Sequence, residues 1–169
     1  MLKKMVILLI VLGLLTGCGA AGTGESKKEE DHNWVKVKRV VDGDTFEIVN
    51  RGKIEKVRLI GVDTPETLKP NSEVEPYGPE ASSFTKKMIE GKKVRLEFDV
   101  QERDRYGRIL AYVYLENGAF LNARLLEEGL ATTMTVPPNV RMAEHFLGLQ
   151  KKAQKARKGI WEKMPFENR

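Results

Sequence analysis

The chain has almost none of the residues on which thiol, zinc or serine chemistry is built. Among 169 residues there is one cysteine and there are two histidines. A single cysteine excludes an intramolecular disulfide and a thiolate zinc cluster. His32 falls in an unpatterned charged stretch and His145 in a helical one, and neither is expected to act as a catalytic or zinc-binding residue. No Gly-x-Ser-x-Gly motif occurs, and Ser82 and Ser83 fall inside an expected helix. No internal repeat is present. The apolar run Val6 to Leu15, interrupted only by Gly13, is shorter than the roughly 20 residues that span a bilayer. Charge of one sign is not dominant either. A net +5 is compatible with a nucleic-acid or anionic-membrane partner and specifies neither.

The amino terminus explains the cysteine. Met1-Leu2-Lys3-Lys4 is a short basic segment, the apolar run follows, and Leu15-Thr16-Gly17-Cys18 closes it. This order is that of a signal peptide, residues 1–17, and its end resembles the lipobox of bacterial lipoproteins. Cys18 would then be lipidated and become the first residue of the mature chain. The alternative is a plain secretory signal with an incidental cysteine. Residues 18–33 form a glycine-rich, then charged, segment without apolar periodicity. They are expected to be a flexible tether reaching about 20 Å. The folded domain is expected over 34–169.

Its first half has strand periodicity. Val35 and Val37 alternate with lysines, Phe46 and Ile48 follow the Asp42-Gly43-Asp44 turn signal, and Ile54 to Val62 follows Asn50-Arg51-Gly52. Lys69 to Pro76 is a loop. Pro79 opens a helix and Gly91 closes it, with Ala81, Phe84 and Met88 on one face. Val94, Leu96 and Phe98 alternate as a fourth strand, and Ile109 to Leu115 is a more continuously apolar fifth. Ala119 to Glu128 is a short helix ended by Gly129. A longer one is expected from about Val140 to Lys158, with Met142, Phe146, Leu149, Ala153 and Ala156 on one face. Trp34 and Trp161 bracket the domain and are expected to pack. Three strands, a helix, two strands and two helices give an α+β domain in the order of a five-stranded OB-fold β-barrel with three α-helices.

Four fragments fall at strand ends or turns: Asp42-Gly43-Asp44-Thr45, Arg58, Asp63-Thr64-Pro65-Glu66 and Asp104-Arg105-Tyr106-Gly107-Arg108. Each alone has an ordinary structural explanation as a turn or surface charge. Together they hold what metal-assisted phosphodiester cleavage requires. Carboxylates and carbonyls are hard ligands suited to Ca²⁺ or Mg²⁺. A further acid can take a proton from water, and two guanidinium groups can clamp a phosphate that gains charge. Asp44, Asp63, Glu66, Arg58 and Arg108 supply that set. In a regular strand Arg58 and Asp63 would point to opposite faces, so the set works only if Gly61 hosts a bend.

In these residues the chain resembles the staphylococcal nuclease (thermonuclease) family, over most of Trp34 to Trp161. The resemblance is carried by Val41-Asp42-Gly43-Asp44-Thr45, Val62-Asp63-Thr64-Pro65-Glu66-Thr67, Tyr77-Gly78-Pro79-Glu80-Ala81 and Tyr106-Gly107-Arg108. It implies an OB-fold barrel with three helices and a Ca²⁺-dependent nuclease acting on DNA and RNA and cleaving the P–O5′ bond. It further implies that Asp44 and Asp63 ligate the calcium through carboxylates and Thr64 through its carbonyl. Glu66 would orient or deprotonate water, and Arg58 and Arg108 would bind the scissile phosphate. Arg105 and Tyr106 fall where the family contacts the nucleotide. The archetype has a lysine pair where this chain has Asn71 and Ser72, next to Glu73. It also has tyrosines where this chain has Thr132-Thr133-Met134-Thr135-Val136-Pro137. Without those rings, at about 1–3 kcal/mol per stacked base, weaker nucleotide binding is expected. With the lipobox, the expectation is a monomeric enzyme held by Cys18 on the outer face of the cytoplasmic membrane, with some release to the medium. The alternative is a non-catalytic OB-fold lipoprotein that binds nucleic acid; an adhesin has only the lipobox in its favour.

Overall fold

The computed structural model describes residues 34–67 and 75–162. The signal peptide, Cys18, the tether and Asn71, Ser72 and Glu73 lie outside the described residues. The elements in chain order are β1 (Trp34–Asp42), β2 (Thr45–Asn50), β3 (Lys53–Leu59), β4 (Gly61–Asp63), α1 (Gly78–Ile89), β5 (Lys93–Glu97) and β6 (Ile109–Leu115). They are followed by α2 (Leu121–Glu127), β7 (Thr132–Met134), α3 (Ala143–Lys155) and a 3₁₀ turn, Gly159–Trp161.

β1, β2 and β3 form the antiparallel meander. β6 runs parallel to β3 and antiparallel to β5, and β5 returns to β1, closing the barrel in the order β1-β2-β3-β6-β5. This mixed five-stranded barrel with three helices is an OB-fold, as the element order predicts. The interior is the period-2 half of each strand: Val37, Phe46, Ile48, Val57, Leu59, Val94, Leu96, Ala111 and Val113 are all buried. α1 closes one side through Ala81, Thr85 and Ile89, with Phe84 and Met88 half-buried against the core. Thr85 Oγ1 donates to the Gly43 carbonyl at 2.6 Å, tying the helix to the β1–β2 turn.

Several boundaries differ from the sequence pattern. The expected strand Ile54 to Val62 is two strands, because Gly61 takes φ +78°. β5 stops at Glu97, one residue before Phe98. α2 begins at Leu121, two residues after Ala119. α3 is shorter than Val140 to Lys158. Asp99 Oδ2 accepts from the Arg141 N–H at 3.2 Å and holds that segment off the helix axis, and Arg157 at φ +50° ends it. Phe146, Leu149 and Ala153 are buried as the face predicts, but Ala156 is exposed. Trp34, expected to pack, is 36% exposed. β7 has no sequence signature: Thr132-Thr133-Met134 carries no apolar alternation, yet it pairs antiparallel with β4.

Candidate active site

The β1–β2 turn sets the first acid. Asp42 and Thr45 face each other across Gly43-Asp44. A Cβ on Gly43 would meet Thr64 Oγ1 at 2.7 Å and the Ala81 methyl at 2.9 Å, so only glycine lets the turn approach β4 and α1 this closely. Asp44 is thereby driven inward and is 2% exposed. Its Oδ2 accepts from the Thr64 N–H at 2.9 Å and from Thr64 Oγ1 at 3.1 Å. Its Oδ1 accepts from Thr45 Oγ1 at 3.0 Å and faces Nη1 of Arg58. The Arg58 charge and the Thr64 N–H both favour its ionised form. Burial nevertheless pushes its pKa up, against the Arg58 charge and the Thr64 N–H, which makes it a carboxylate that needs a cation.

The bend at Ile60-Gly61 sets the second acid. β3 ends at Leu59, and Gly61 lies against the Phe146 ring, so that a Cβ would fall 2.6 Å from Cε2. The turned chain runs as β4 beside β7, with Asp63 opposite Thr132. Asp63 is thus returned to the side of β3 that carries Arg58, whose Nη2 donates to Asp63 Oδ1 at 2.5 Å. The shared site that the parity of the strand forbade is made by this one glycine. Arg58 therefore bridges Asp44 and Asp63, with its side chain 14% exposed. Burial works against the guanidinium charge, but the two carboxylates outweigh it and hold its pKa above the ordinary arginine value.

Sequence reasoning did not find the side chain that fastens the bend. Asn122, fully buried in α2, donates through Nδ2 to the Ile60 carbonyl at 2.8 Å and accepts from the Val113 N–H at 3.0 Å. It pins the bend to barrel strand β6. A lone asparagine inside a helical pattern gives no signal of this. Asp42, for which the sequence suggests no role in the chemistry, also makes a long-range tie. Its Oδ1 accepts from the Gly43 N–H at 2.8 Å and from Thr67 Oγ1 at 2.9 Å, which ties the segment after β4 to the first hairpin. Glu66 sits in that segment. Burial pushes its carboxyl up from the ordinary glutamate range, and repulsion from Asp42 and Asp44 adds to the shift.

Arg58, Asp63, Glu66, Arg105, Tyr106 and Arg108 all line one cleft of about 570 Å³. Residues 104–108 form a tight turn organised by Asp104, whose Oδ1 accepts from the N–H groups of Tyr106 at 2.9 Å and Arg108 at 3.0 Å. Its Oδ2 accepts from Arg108 Nε at 2.6 Å. Burial raises the Asp104 pKa, and these bonds more than reverse that, leaving it below the ordinary aspartate range. Tyr106 is 69% exposed and lies beneath the Arg105 guanidinium, 4.8 Å from ring centre to Cζ. Asn139, unremarked in the sequence, joins two stretches of the cleft rim. It accepts from the Gln101 N–H at 2.8 Å and donates to the Gln101 carbonyl at 2.7 Å. Met134, Val136 and Pro137, from the stretch 132–137 that holds no aromatic residue, line the cleft as well.

The arrangement links Asp44, Asp63, Thr64 and Arg58 by direct contacts. Glu66, Arg105, Tyr106 and Arg108 line the same cleft as Arg58 and Asp63, with no hydrogen bond or ion pair to them among the described residues. The donor set fits a hard divalent cation: two carboxylates already converge on one positive charge, and Thr64 is hydrogen-bonded to the first of them. Among the described residues no group of three or more histidine, cysteine, aspartate or glutamate side chains is arranged to hold a metal, which leaves further ligands to carbonyls and water.

Comparison with known proteins shows the family. A family model described as "Staphylococcal nuclease homologue" matches residues 56–163. The chain belongs to the staphylococcal nuclease family. The thermonuclease of Staphylococcus hyicus is 54% identical over 126 residues, 75% of this chain and 74% of that protein. The thermonuclease of Staphylococcus intermedius is 53% identical over 127 residues, 75% of each chain. Endonuclease YncB of Bacillus subtilis is 43% identical over 145 residues, 85% of this chain and 68% of that protein. The family match contains Arg58, Asp63, Thr64, Glu66, Arg105, Tyr106 and Arg108, while Asp44 precedes it and is tied to the site by its own contacts.

Proposed function

We propose that the cleft is the active centre of a calcium-dependent nuclease that hydrolyses DNA and RNA at the P–O5′ bond, on a protein anchored outside the cytoplasmic membrane through lipidated Cys18. Membership of the nuclease family supports hydrolysis of phosphodiesters. The observation that supports metal-assisted cleavage is the convergence of Asp44 and Asp63 on the Arg58 guanidinium in a cleft that also holds Arg108, whereas the anchor is supported by Leu15-Thr16-Gly17-Cys18 alone.

Asp44, Asp63 and the Thr64 carbonyl would hold the ion. When bound, Ca²⁺ supplies charge neutralisation for the phosphate and a position for water. Glu66 would accept a proton from the attacking water, a role suited to a carboxylate whose pKa burial pushes up. Arg58 and Arg108 hold phosphate oxygens through paired N–H donors, most tightly when the phosphorane-like charge peaks. The water oxygen would bond to phosphorus as the P–O5′ bond breaks, and O5′ would take up a proton from solvent, leaving a 3′-phosphate and a 5′-hydroxyl. Tyr106 offers an exposed ring to a base. A site with two carboxylates binds calcium weakly, in keeping with extracellular modules at about 10⁻⁴–10⁻³ M.

The test is cleavage of linear and circular DNA by the chain from residue 18 onward, with Ca²⁺ or with a chelator. Cleavage of both forms with Ca²⁺ alone, giving 3′-phosphate ends, is expected. Intact DNA in both conditions would reject the enzyme reading. For the anchor, Cys18→Ser in cells is expected to move the protein from the membrane fraction to the medium, and continued retention rejects lipidation.

A further inference from the structure

The outer faces of four barrel strands carry a continuous row of cross-strand neighbours, Lys93, Lys36, Val49 and Ile54. All four are exposed, Val49 by 42% and Ile54 by 55%. Trp34 lies two residues before Lys36 in β1, and so on the same outward side. The β2–β3 turn beside the row adds Arg51 and Lys53, both exposed. The next outward pair along the same two strands is of a different kind. There Glu47 faces Lys56 and takes ion pairs from Lys38 and Arg39. Among the described residues Lys36, Arg51, Lys53 and Lys93 have no such carboxylate. Two β-branched apolar side chains thus stand opposite each other in water, ringed by unpaired cations and a tryptophan. Trp34 is also where the preceding 33 residues, with their apolar run and Cys18, join the described body.

We propose that this face, formed by Trp34, Lys36, Val49, Ile54 and Lys93 with the Arg51–Lys53 turn, is the surface by which the barrel rests on an anionic phospholipid bilayer. The proposal rests on the lipid-anchor reading for its setting. Aliphatic side chains and tryptophan suit the headgroup–acyl boundary, and lysines suit the lipid phosphates around them. A tether already holding the domain at the bilayer makes weak docking sufficient. A nucleic-acid backbone would use the cations and leave Val49 and Ile54 without a partner. Asp42 is at the other end of β1, eight residues from Trp34, so this face and the carboxylates belong to opposite ends of the strand.

The barrel and all three helices lie within residues 34–162, so the chain from residue 18 onward with Cys18→Ser carries the complete fold. Its sedimentation with phosphatidylglycerol–phosphatidylcholine vesicles, and with phosphatidylcholine alone, needs no lipidation and so succeeds or fails independently of the anchor. Binding to the anionic vesicles that weakens with salt is expected. Val49→Glu/Ile54→Glu, and separately Lys36→Glu/Lys93→Glu, should each weaken it by about tenfold or more, while cleavage of free DNA stays unchanged and reports an intact fold. No binding by the parent, or equal binding by parent and variants, overturns the proposal. It is equally overturned if the variants keep vesicle binding and lose affinity for DNA, which would make the face a nucleic-acid subsite.

Discussion

Replacing Gly61 by alanine tests the bend that brings Arg58 and Asp63 together. Gly61 holds φ +78°, where an L side chain costs about 1–2 kcal/mol. A Cβ there would also fall 2.6 Å and 2.7 Å from two ring carbons of Phe146. That ring is 1% exposed and packs edge-on against Tyr112, so it has little room to retreat. Overpacking of this kind costs about 1–3 kcal/mol, giving about 2–5 kcal/mol in all. Against a total stability of roughly 5–15 kcal/mol the change is large but survivable. Gly52→Ala is the control. Gly52 holds φ +77° and has nothing within 4 Å of its virtual Cβ, so it carries the backbone strain without the ring. Any gain from a stiffer unfolded chain is common to both variants and cancels in their difference.

Urea denaturation of the two variants therefore isolates the ring contact, provided the slopes match. Gly61→Ala is expected to lose about 1–3 kcal/mol more than Gly52→Ala, and only Gly61→Ala should lose activity under conditions where both are folded. Equal losses would show that Phe146 does not dictate the bend. Phe146→Leu in the Gly61→Ala background should recover part of the excess, seen as a coupling energy in the double-mutant cycle.

Asn122→Leu leaves the Ile60 carbonyl and the Val113 N–H buried without partners and is expected to cost about 2–5 kcal/mol in the same assay; a near-neutral result refutes the clasp. Arg108→Ala should lower kcat by about 10²–10³ with little loss of stability, since its partner Asp104 keeps two backbone N–H donors; a wild-type rate would remove it from the mechanism. Arg58→Ala should lower both activity and stability, because it strands Asp44, which burial already pushes up; unchanged stability would contradict the bridge. Glu66 must be ionised to act, and its pKa is raised, so kcat/KM should rise with pH through a point above the ordinary glutamate value. Burial remains in Asp42→Asn but one repelling charge is gone, so that limb should move to lower pH; an unmoved limb would show that another group sets it.

The barrel was legible because each strand alternates, and alternation survives without knowledge of the partner. The bend was legible for a different reason: the chemistry demanded that Arg58 and Asp63 meet, parity said they could not, and Gly61 was the one residue able to resolve the conflict. β7 was not legible, since Thr132-Thr133-Met134 acquires strand geometry only from β4, about 70 residues earlier in the chain. Nor were Asn122 and Asn139, whose amides act on backbone groups far away in sequence.

Arg58 shows where a list of suitable residues stops short. By resemblance it binds phosphate, yet its Nη1 and Nη2 are both engaged, by Asp44, Asp63 and the Val62 carbonyl. A guanidinium committed through both terminal nitrogens has no free pair of parallel N–H donors, so phosphate binding requires at least one carboxylate to give it up. Asp63 is the one able to do so. Its side chain is 43% exposed, whereas Asp44 is held by three further donors at 2% exposure. Any second cation drawn to the cleft, from solution or on the substrate side, therefore competes first for Asp63. The bridge, the bend that makes it and the asparagine that pins the bend are one device, with the arginine's freedom to turn toward phosphate set by how firmly Asp63 is placed.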